Sequence, residues 1–139
     1  MTRFAAGIFL VSFALAACVV QHTPGTSFVT PALPNEEAIQ RIAIDATACL
    51  EALYPPGLTT IRLMTPTEKD GFSRLLEDRL RTSGFTVVGS SNDSAAIQVE
   101  YILDQLKPEP SHSLLLRLHL VDSTSGSERK LMRSYNMAG

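Results

Sequence analysis

Apolar residues recur three or four positions apart along one early stretch of the chain, as they do on one face of a helix. The positions that share this spacing are Ile39, Ile42, Ala43, Ala46, Cys49, Leu50 and Leu53. Asn35 is suited to the N-cap, and Glu36 and Glu37 complement the positive end of the helix dipole. The pattern predicts a helix over residues 35–53 that buries this stripe. Residues 54–57, Tyr-Pro-Pro-Gly, end it because proline disfavours helix in the residue before it.

A second amphipathic stretch begins near Thr67, with Asp70 in its first turn. Its apolar face is predicted to consist of Phe72, Leu75, Leu76 and Leu80. The opposite face is charged, and Glu77 and Arg81 stand four residues apart, the spacing of a helical ion pair. Gly84 suits the left-handed position that follows a helix. We therefore expect a second helix that opens at Thr67 and stops before Gly84.

Five further stretches alternate apolar and polar residues, or are short and β-branched, and are predicted to be strands: 59–63, 85–88, 97–104, 114–121 and 127–137. The element order is then α-β-α-β-β-β-β. One strand–helix–strand unit followed by a meander predicts a two-layer α+β sandwich, with both helices on one face of a mixed, mostly antiparallel sheet of about five strands. Ile102, Arg117 and His119 are expected on the opposite, solvated face.

The first 18 residues have the pattern of an export signal. Arg3 provides a positive start, and the apolar run Phe4–Ala14 is too short for a permanent membrane span but fits a signal peptide. Leu15-Ala16-Ala17-Cys18 then matches a bacterial lipobox, in which the cysteine thiol receives lipid. The alternative is an ordinary secretory signal beside which Cys18 has no role. Agreement at all four positions favours residues 1–17 as a signal peptide and Cys18 as the lipidation site.

Residues 18–34 are expected to form the lipidated cysteine and a flexible tether, because Pro24, Gly25, Pro31 and Pro34 interrupt a segment without an apolar period. Residues 35–139 are expected to form one globular domain. Val19 is not acidic, and the usual sorting rule for lipoproteins then predicts the outer membrane, with the domain facing the periplasm.

Charge narrows the choice of partners. Removal of Arg3 with the signal leaves 11 basic against 14 acidic residues, a net charge of about −3. Nucleic acid is disfavoured as a partner because phosphate binding needs a basic face. Electrostatic docking to anionic lipid is also disfavoured, so the membrane is expected to be contacted through the covalent lipid on Cys18. Cys49 lies on the first helical stripe, where burial is favoured over pairing between chains.

No motif for catalysis or for a cofactor is evident. His22, His112 and His119 stand apart, without a serine, cysteine or carboxylate at a useful spacing. One further cysteine and scattered histidines do not make a metal site. We expect no enzyme activity, no cofactor, no metal and no small-molecule substrate. A pocket that brought His119 together with a carboxylate would point instead to an enzyme.

Several segments of the chain resemble a known family, the TrbH lipoproteins of conjugative plasmid transfer. The resemblance is carried by the lipobox and by residues 53–57, 59–63, 75–88, 99–104 and 133–135. It implies a structural component of the mating-pair-formation apparatus, a type IV secretion system, whose partners are other envelope subunits. Cys18 is the one functional residue that the resemblance transfers.

The alternative function is a stand-alone outer-membrane lipoprotein that acts as a binding or assembly-chaperone module. Such a module needs a persistent apolar pocket with a few polar groups. A filled core with an exposed sheet edge or a flat apolar patch would favour the assembly component instead.

Overall fold

The computed structural model describes residues 27–29, 36–66, 69–89, 95–106 and 113–136. The two helices are α1 (Glu36–Leu53) and α2 (Gly71–Thr82), and a short 3₁₀ helix spans Pro56–Leu58. The strands are β1 (Phe28–Val29), β2 (Thr60–Leu63), β3 (Thr86–Val88), β4 (Ile97–Gln105), β5 (Ser113–Asp122) and β6 (Glu128–Asn136).

All six described strands belong to one mixed sheet. Five of them are neighbours in the order β3-β2-β4-β5-β6, and β1 pairs with β4 beside β2. Strand β2 runs parallel to both β3 and β4, whereas β4, β5 and β6 form an antiparallel meander. The link from β2 through α2 to β3 is a strand–helix–strand crossover. The predicted α+β architecture is confirmed, and so are the five predicted strands, to within two residues at their described ends.

Strand β1 lies before the predicted start of the domain. Phe28 and Val29 lie within the segment predicted as a tether, yet they pair in parallel with Ile102 and Leu103 of β4. They occupy the same edge of β4 as β2, which pairs farther back with residues 97–99. The sheet therefore includes residues before the predicted boundary at residue 35. The paired residues are more than 70 positions apart in the sequence. A local pattern of apolar and polar residues therefore does not predict this strand.

The start of α2 is also different from the prediction. The helix begins at Gly71, after the N-cap Asp70, instead of at Thr67, which is outside the described residues. The Asp70 carboxylate accepts a hydrogen bond of 2.7 Å from the Ser73 backbone N–H. This bond satisfies an amide that has no partner within the helix, and it fixes the start four residues later than the sequence suggested.

The end of α2 agrees with the prediction. Gly84 has a φ of +93°, in the left-handed region that favours glycine. Its N–H donates to the Arg81 carbonyl at 3.0 Å, and the Phe85 N–H donates to the Leu80 carbonyl at 3.0 Å. These two bonds are those of a Schellman motif, and they satisfy helix carbonyls that would otherwise lack donors.

The core lies between the helices and one face of the sheet. Its fully buried large side chains are Ile42, Leu50, Ile61, Phe72, Leu76, Leu80, Val99, Tyr101, Leu103, Leu116 and Leu120. The four alternate leucines of β5 are all buried, as predicted for an inward face. Cys49 departs from the prediction, because it is only half-buried at the flank of α1.

Candidate functional site

The predicted lipidation site and its signal peptide, residues 1–18, lie outside the described residues. The structure does show where the segment after them joins the domain. Ser27 is buried, and its hydroxyl oxygen accepts a 3.1 Å hydrogen bond from the Tyr101 N–H. Ser27 is nine positions after Cys18 in the sequence. A fully extended chain of that length spans at most about 30 Å, so covalent geometry limits how far Ser27 can lie from Cys18.

The outer face of the sheet, away from the helices, carries a charged cluster around His119. Its Nδ1 lies 3.4 Å from Glu100 Oε2, and its Nε2 lies 3.1 Å from Glu128 Oε2. Glu100 is buried although it is on the outer face, and its other carboxylate oxygen accepts a 2.9 Å hydrogen bond from Gln98. The sequence analysis placed His119 outward but found no partner for it. The register of β4 against β5, which sets Glu100 opposite His119, supplies the partner.

The His119 cluster does not form a catalytic arrangement. Both ring nitrogens face carboxylates, so neither is left to accept a proton from a nucleophile. The contacts of His119 with Glu100 and Glu128 instead connect β4, β5 and β6. Within the described residues, no group of three or more histidine, cysteine or acidic side chains is placed to hold a metal ion. His22 and His112 are outside the described residues.

A second polar cluster joins α1 to strand β6. Asp45 Oδ2 lies 2.7 Å from Arg133 Nε and accepts a 2.6 Å hydrogen bond from the Tyr135 hydroxyl. Burial, followed by the hydrogen bond to Asp45, raises the pKa of Tyr135 above its usual range. Arg133 Nη1 also lies 3.8 Å from Cys49 Sγ. Cys49 lies next to this polar cluster between α1 and β6, which explains why its side chain is only half-buried.

A third polar group is buried between α2 and the sheet. The Tyr101 hydroxyl bonds to the Ser73 hydroxyl, and Ser73 donates its own proton to Asp70 Oδ2 at 2.9 Å. Since Ser73 has one hydroxyl proton, Tyr101 must be the donor in its bond with Ser73. Burial raises the pKa of Tyr101 above its usual range, which keeps its proton in place. The chain of bonds locks the start of α2 onto β4.

The core leaves little space for a ligand where α1 faces β5 and β6. A cavity of about 10 Å³ lies there, lined by Ala46, Cys49, Leu116, Leu118, Leu131, Met132 and Arg133. A space of this size holds about one water molecule, whereas pockets for small ligands measure roughly 300–1,000 Å³. This cavity therefore offers no binding site for a lipid or a glycan.

Exposed apolar side chains lie on the outer face of the sheet. The registers place Phe28, Ile102, Arg117 and Met132 in one row across β1, β4, β5 and β6. Phe28 is 49% exposed and Met132 is 68% exposed. Within the described residues, no helix has both the length and the apolar character needed to span a membrane.

The chain matches a known protein family over most of its length. The family model described as conjugal transfer protein TrbH matches residues 22–136, which include every described residue. The chain belongs to the TrbH family. It is therefore a component of conjugal transfer, as its segments suggested. No curated protein and no solved structure is significantly similar to this TrbH-family chain.

The matched range also agrees with the sheet. It begins at residue 22, before β1, and extends through the whole of β6. The TrbH-family domain thus includes part of the segment that composition alone assigned to a tether. Cys18 lies four positions before the matched range.

Proposed function

We propose that this chain is a lipid-anchored structural component of a conjugative type IV secretion apparatus. Cys18 carries the lipid, the anchor lies in the outer membrane, and the domain faces the periplasm among other envelope subunits. The match to the TrbH family over residues 22–136 is the observation that carries the proposal. The lipobox Leu15-Ala16-Ala17-Cys18 supports its finer part, the anchor.

Several covalently attached acyl chains, palmitate among them, would make the anchor stable. Each buried methylene contributes about 0.8 kcal/mol, so one chain binds a membrane only marginally and several hold it firmly. The domain has no need of a basic membrane-binding face, which agrees with the acidic balance of the chain.

The small number of residues between Cys18 and the sheet supports a role close to the membrane. The predicted tether of residues 18–34 would reach roughly 55 Å if fully extended. Because Ser27 and β1 are already part of the domain, the reach falls to about 30 Å. The domain would then work near the inner surface of the outer membrane, where subunits of a secretion channel meet.

A structural role fits the polar clusters better than catalysis does. The clusters at His119, Asp45 and Tyr101 each connect two or more secondary-structure elements through hydrogen bonds or ion pairs. The cavity below α1 is too small for a small-molecule ligand. These features describe a rigid domain suited to assembly, and they lend no support to the alternative of a ligand-binding module.

Replacement of the predicted lipidated cysteine tests the anchor. In a host that carries the transfer system, full-length Cys18→Ser and the matched control Cys49→Ser would be labelled with a palmitate analogue. Their membranes would then be separated by density. We expect Cys18→Ser to lose both the label and the outer-membrane location, since the lipobox no longer has a thiol at residue 18 to accept lipid, and to reduce transfer of DNA to recipient cells. Cys49→Ser should keep all three.

Separation of the two membranes matters because an unprocessed signal peptide would leave Cys18→Ser in the inner membrane. Recovery of Cys18→Ser in the outer membrane, or label on it equal to that of Cys49→Ser, would contradict the proposal that Cys18 carries the lipid. Normal DNA transfer by a mislocalised Cys18→Ser chain would contradict the proposal that conjugation requires the anchor.

A further inference from the structure

Strand β6 forms a long edge of the sheet. It has 9 residues and pairs with β5 on one side, while no described strand pairs with its other side. The opposite edge strand, β3, has only 3 residues. An edge strand presents a row of backbone donors and acceptors that can pair with another strand. Among the described strands, β6 thus has the longest edge that could pair with another strand.

The charges on β6 restrict which strand can pair with it. Its sequence contains three cations, Arg129, Lys130 and Arg133, and one anion, Glu128. Charged side chains often protect edge strands from unwanted pairing, because like charges directly opposite each other are destabilising. A partner strand must therefore avoid placing cations opposite these three positions.

A second copy of β6 meets this condition in one full-length register. In an antiparallel pair related by a two-fold axis through Met132, all nine residues find a partner. The facing pairs are Glu128–Asn136, Arg129–Tyr135, Lys130–Ser134, Leu131–Arg133 and Met132–Met132. No cation faces a cation in this register.

Three neighbouring registers fail the same condition. An axis through Leu131 sets Arg129 opposite Arg133, and an axis through Lys130 or Arg133 sets that residue opposite itself. An axis through Ser134 places no cation opposite a cation, but it pairs only residues 132–136 of the strand. The charge pattern and the full length of β6 together therefore select the Met132 axis.

The same register covers an exposed apolar side chain. Met132 is 68% exposed on the outer face of the sheet, and in the pair it would pack against Met132 of the second copy. On the helix side, Arg133 is already held by Asp45 at 2.7 Å, so it is not free to swing into the space of the partner strand. Ala48 and Ala52, on the flank of α1 that includes Asp45, are small and exposed, which leaves room beside the helix.

We propose that two copies of this chain associate through β6, antiparallel and centred on Met132, to form one continuous sheet. The proposal does not depend on the lipid anchor, because it rests on the described domain alone. It gives a secretion component a symmetric two-fold unit. Facing residues in an antiparallel pair have Cα atoms about 4.5–5.5 Å apart, within the range of about 4.4–6.8 Å that a disulfide spans.

Cysteine cross-linking tests the register. Full-length Met132→Cys, Lys130→Cys and Ser134→Cys, each in a Cys49→Ala background, would be purified from membranes in detergent and oxidised mildly. Met132→Cys should form a disulfide-linked dimer on non-reducing gels. Lys130→Cys alone and Ser134→Cys alone should stay largely monomeric, because residue 130 of one copy lies about 14 Å along the strand from residue 130 of the other. A mixture of Lys130→Cys and Ser134→Cys should cross-link. The Cys49→Ala chain without an added cysteine is the baseline for any pairing through Cys18.

A charged residue at position 132, which lies on the two-fold axis, tests how strongly the two copies associate. Met132→Lys places two lysines opposite each other and should weaken dimerisation in sedimentation experiments by roughly two- to five-fold. Met132→Leu, the matched control, should leave it unchanged. At concentrations where all the chains are monomeric, both variants should keep the thermal midpoint of the parent, because the side chain is exposed in the monomer. No cross-link of Met132→Cys, or an equal cross-link of Lys130→Cys alone, would overturn the proposal. So would a monomer at all concentrations, or β6 occupied by a different subunit.

Discussion

The hydrogen bond between the Tyr101 and Ser73 hydroxyls is predicted to contribute measurably to stability. Tyr101→Phe removes its hydroxyl donor, while the ring keeps its edge-to-face contact with Phe72 at a centroid distance of 5.1 Å. Tyr101 is 1% exposed and Ser73 is 0% exposed, so water cannot replace the lost partner. A net hydrogen bond is worth about 0.5–1.5 kcal/mol, and a buried group left unsatisfied costs about 1–3 kcal/mol. We expect Tyr101→Phe to lower the free energy of unfolding by about 1.5 kcal/mol.

Ser73→Ala is the second variant of a double-mutant cycle with Tyr101→Phe. It removes the bond from Tyr101 and the 2.9 Å bond to Asp70, but it keeps the backbone cap from the residue 73 N–H to Asp70. A loss of about 2 kcal/mol is expected. Because both variants break the same bond, the double variant should lose about 1 kcal/mol less than the sum of the two losses.

Urea denaturation of the four chains at pH 7 measures this coupling. Ser134→Ala, at an exposed position on β6, controls for the serine-to-alanine change itself and should alter the midpoint little. Strictly additive losses, or a Tyr101→Phe chain as stable as the parent, would refute the view that the Tyr101–Ser73 bond locks α2 onto the sheet.

Three further predictions concern stability. Leu76→Ala, at a fully buried core position, should cost about 2–5 kcal/mol in denaturant unfolding; a cost below 1 kcal/mol would contradict the packing of α2. Gly84→Ala should cost about 1–2 kcal/mol because of the φ of +93° alone, and an unchanged thermal midpoint would contradict the left-handed helix end. The bonds from Lys69 and then Arg81 lower the pKa of Glu77, so its contribution is present above the unfolded pKa and is lost as pH falls through the folded one. Glu77→Gln should therefore be less stable than the parent at pH 7, with the difference vanishing near pH 2; a pH-independent difference would contradict this.

The sequence predicted elements whose signal is local. The apolar period of α1 continues without interruption to Leu53, and the alternate leucines of β5 identify its inward face without reference to any other strand. Gly84 marked the end of α2 because its role depends only on the residues beside it. Local patterns of this kind are sufficient for fold class, since two amphipathic helices and a run of alternating strands have few ways to bury their apolar faces.

The features that the sequence did not predict depend either on which residues face each other across the sheet or on which residue caps a helix. Strand β1 has only 2 residues and is ordered by pairing with a strand far along the chain. The sequence pattern opened α2 at Thr67 and placed Asp70 in its first turn, whereas Asp70 is the N-cap, because its carboxylate accepts the hydrogen bond from the Ser73 amide. The outward direction of His119 followed from alternation. Its contact with Glu100 required knowing which residues of β4 and β5 face each other.

The intact mass of the chain purified from the outer membrane shows whether Cys18 carries a lipid anchor. We expect a mass equal to residues 18–139 plus a diacylglyceryl group and an amide-linked acyl chain, with the modification located on the N-terminal cysteine by fragmentation. An unmodified Cys18, or a chain that still begins at Met1, would contradict it.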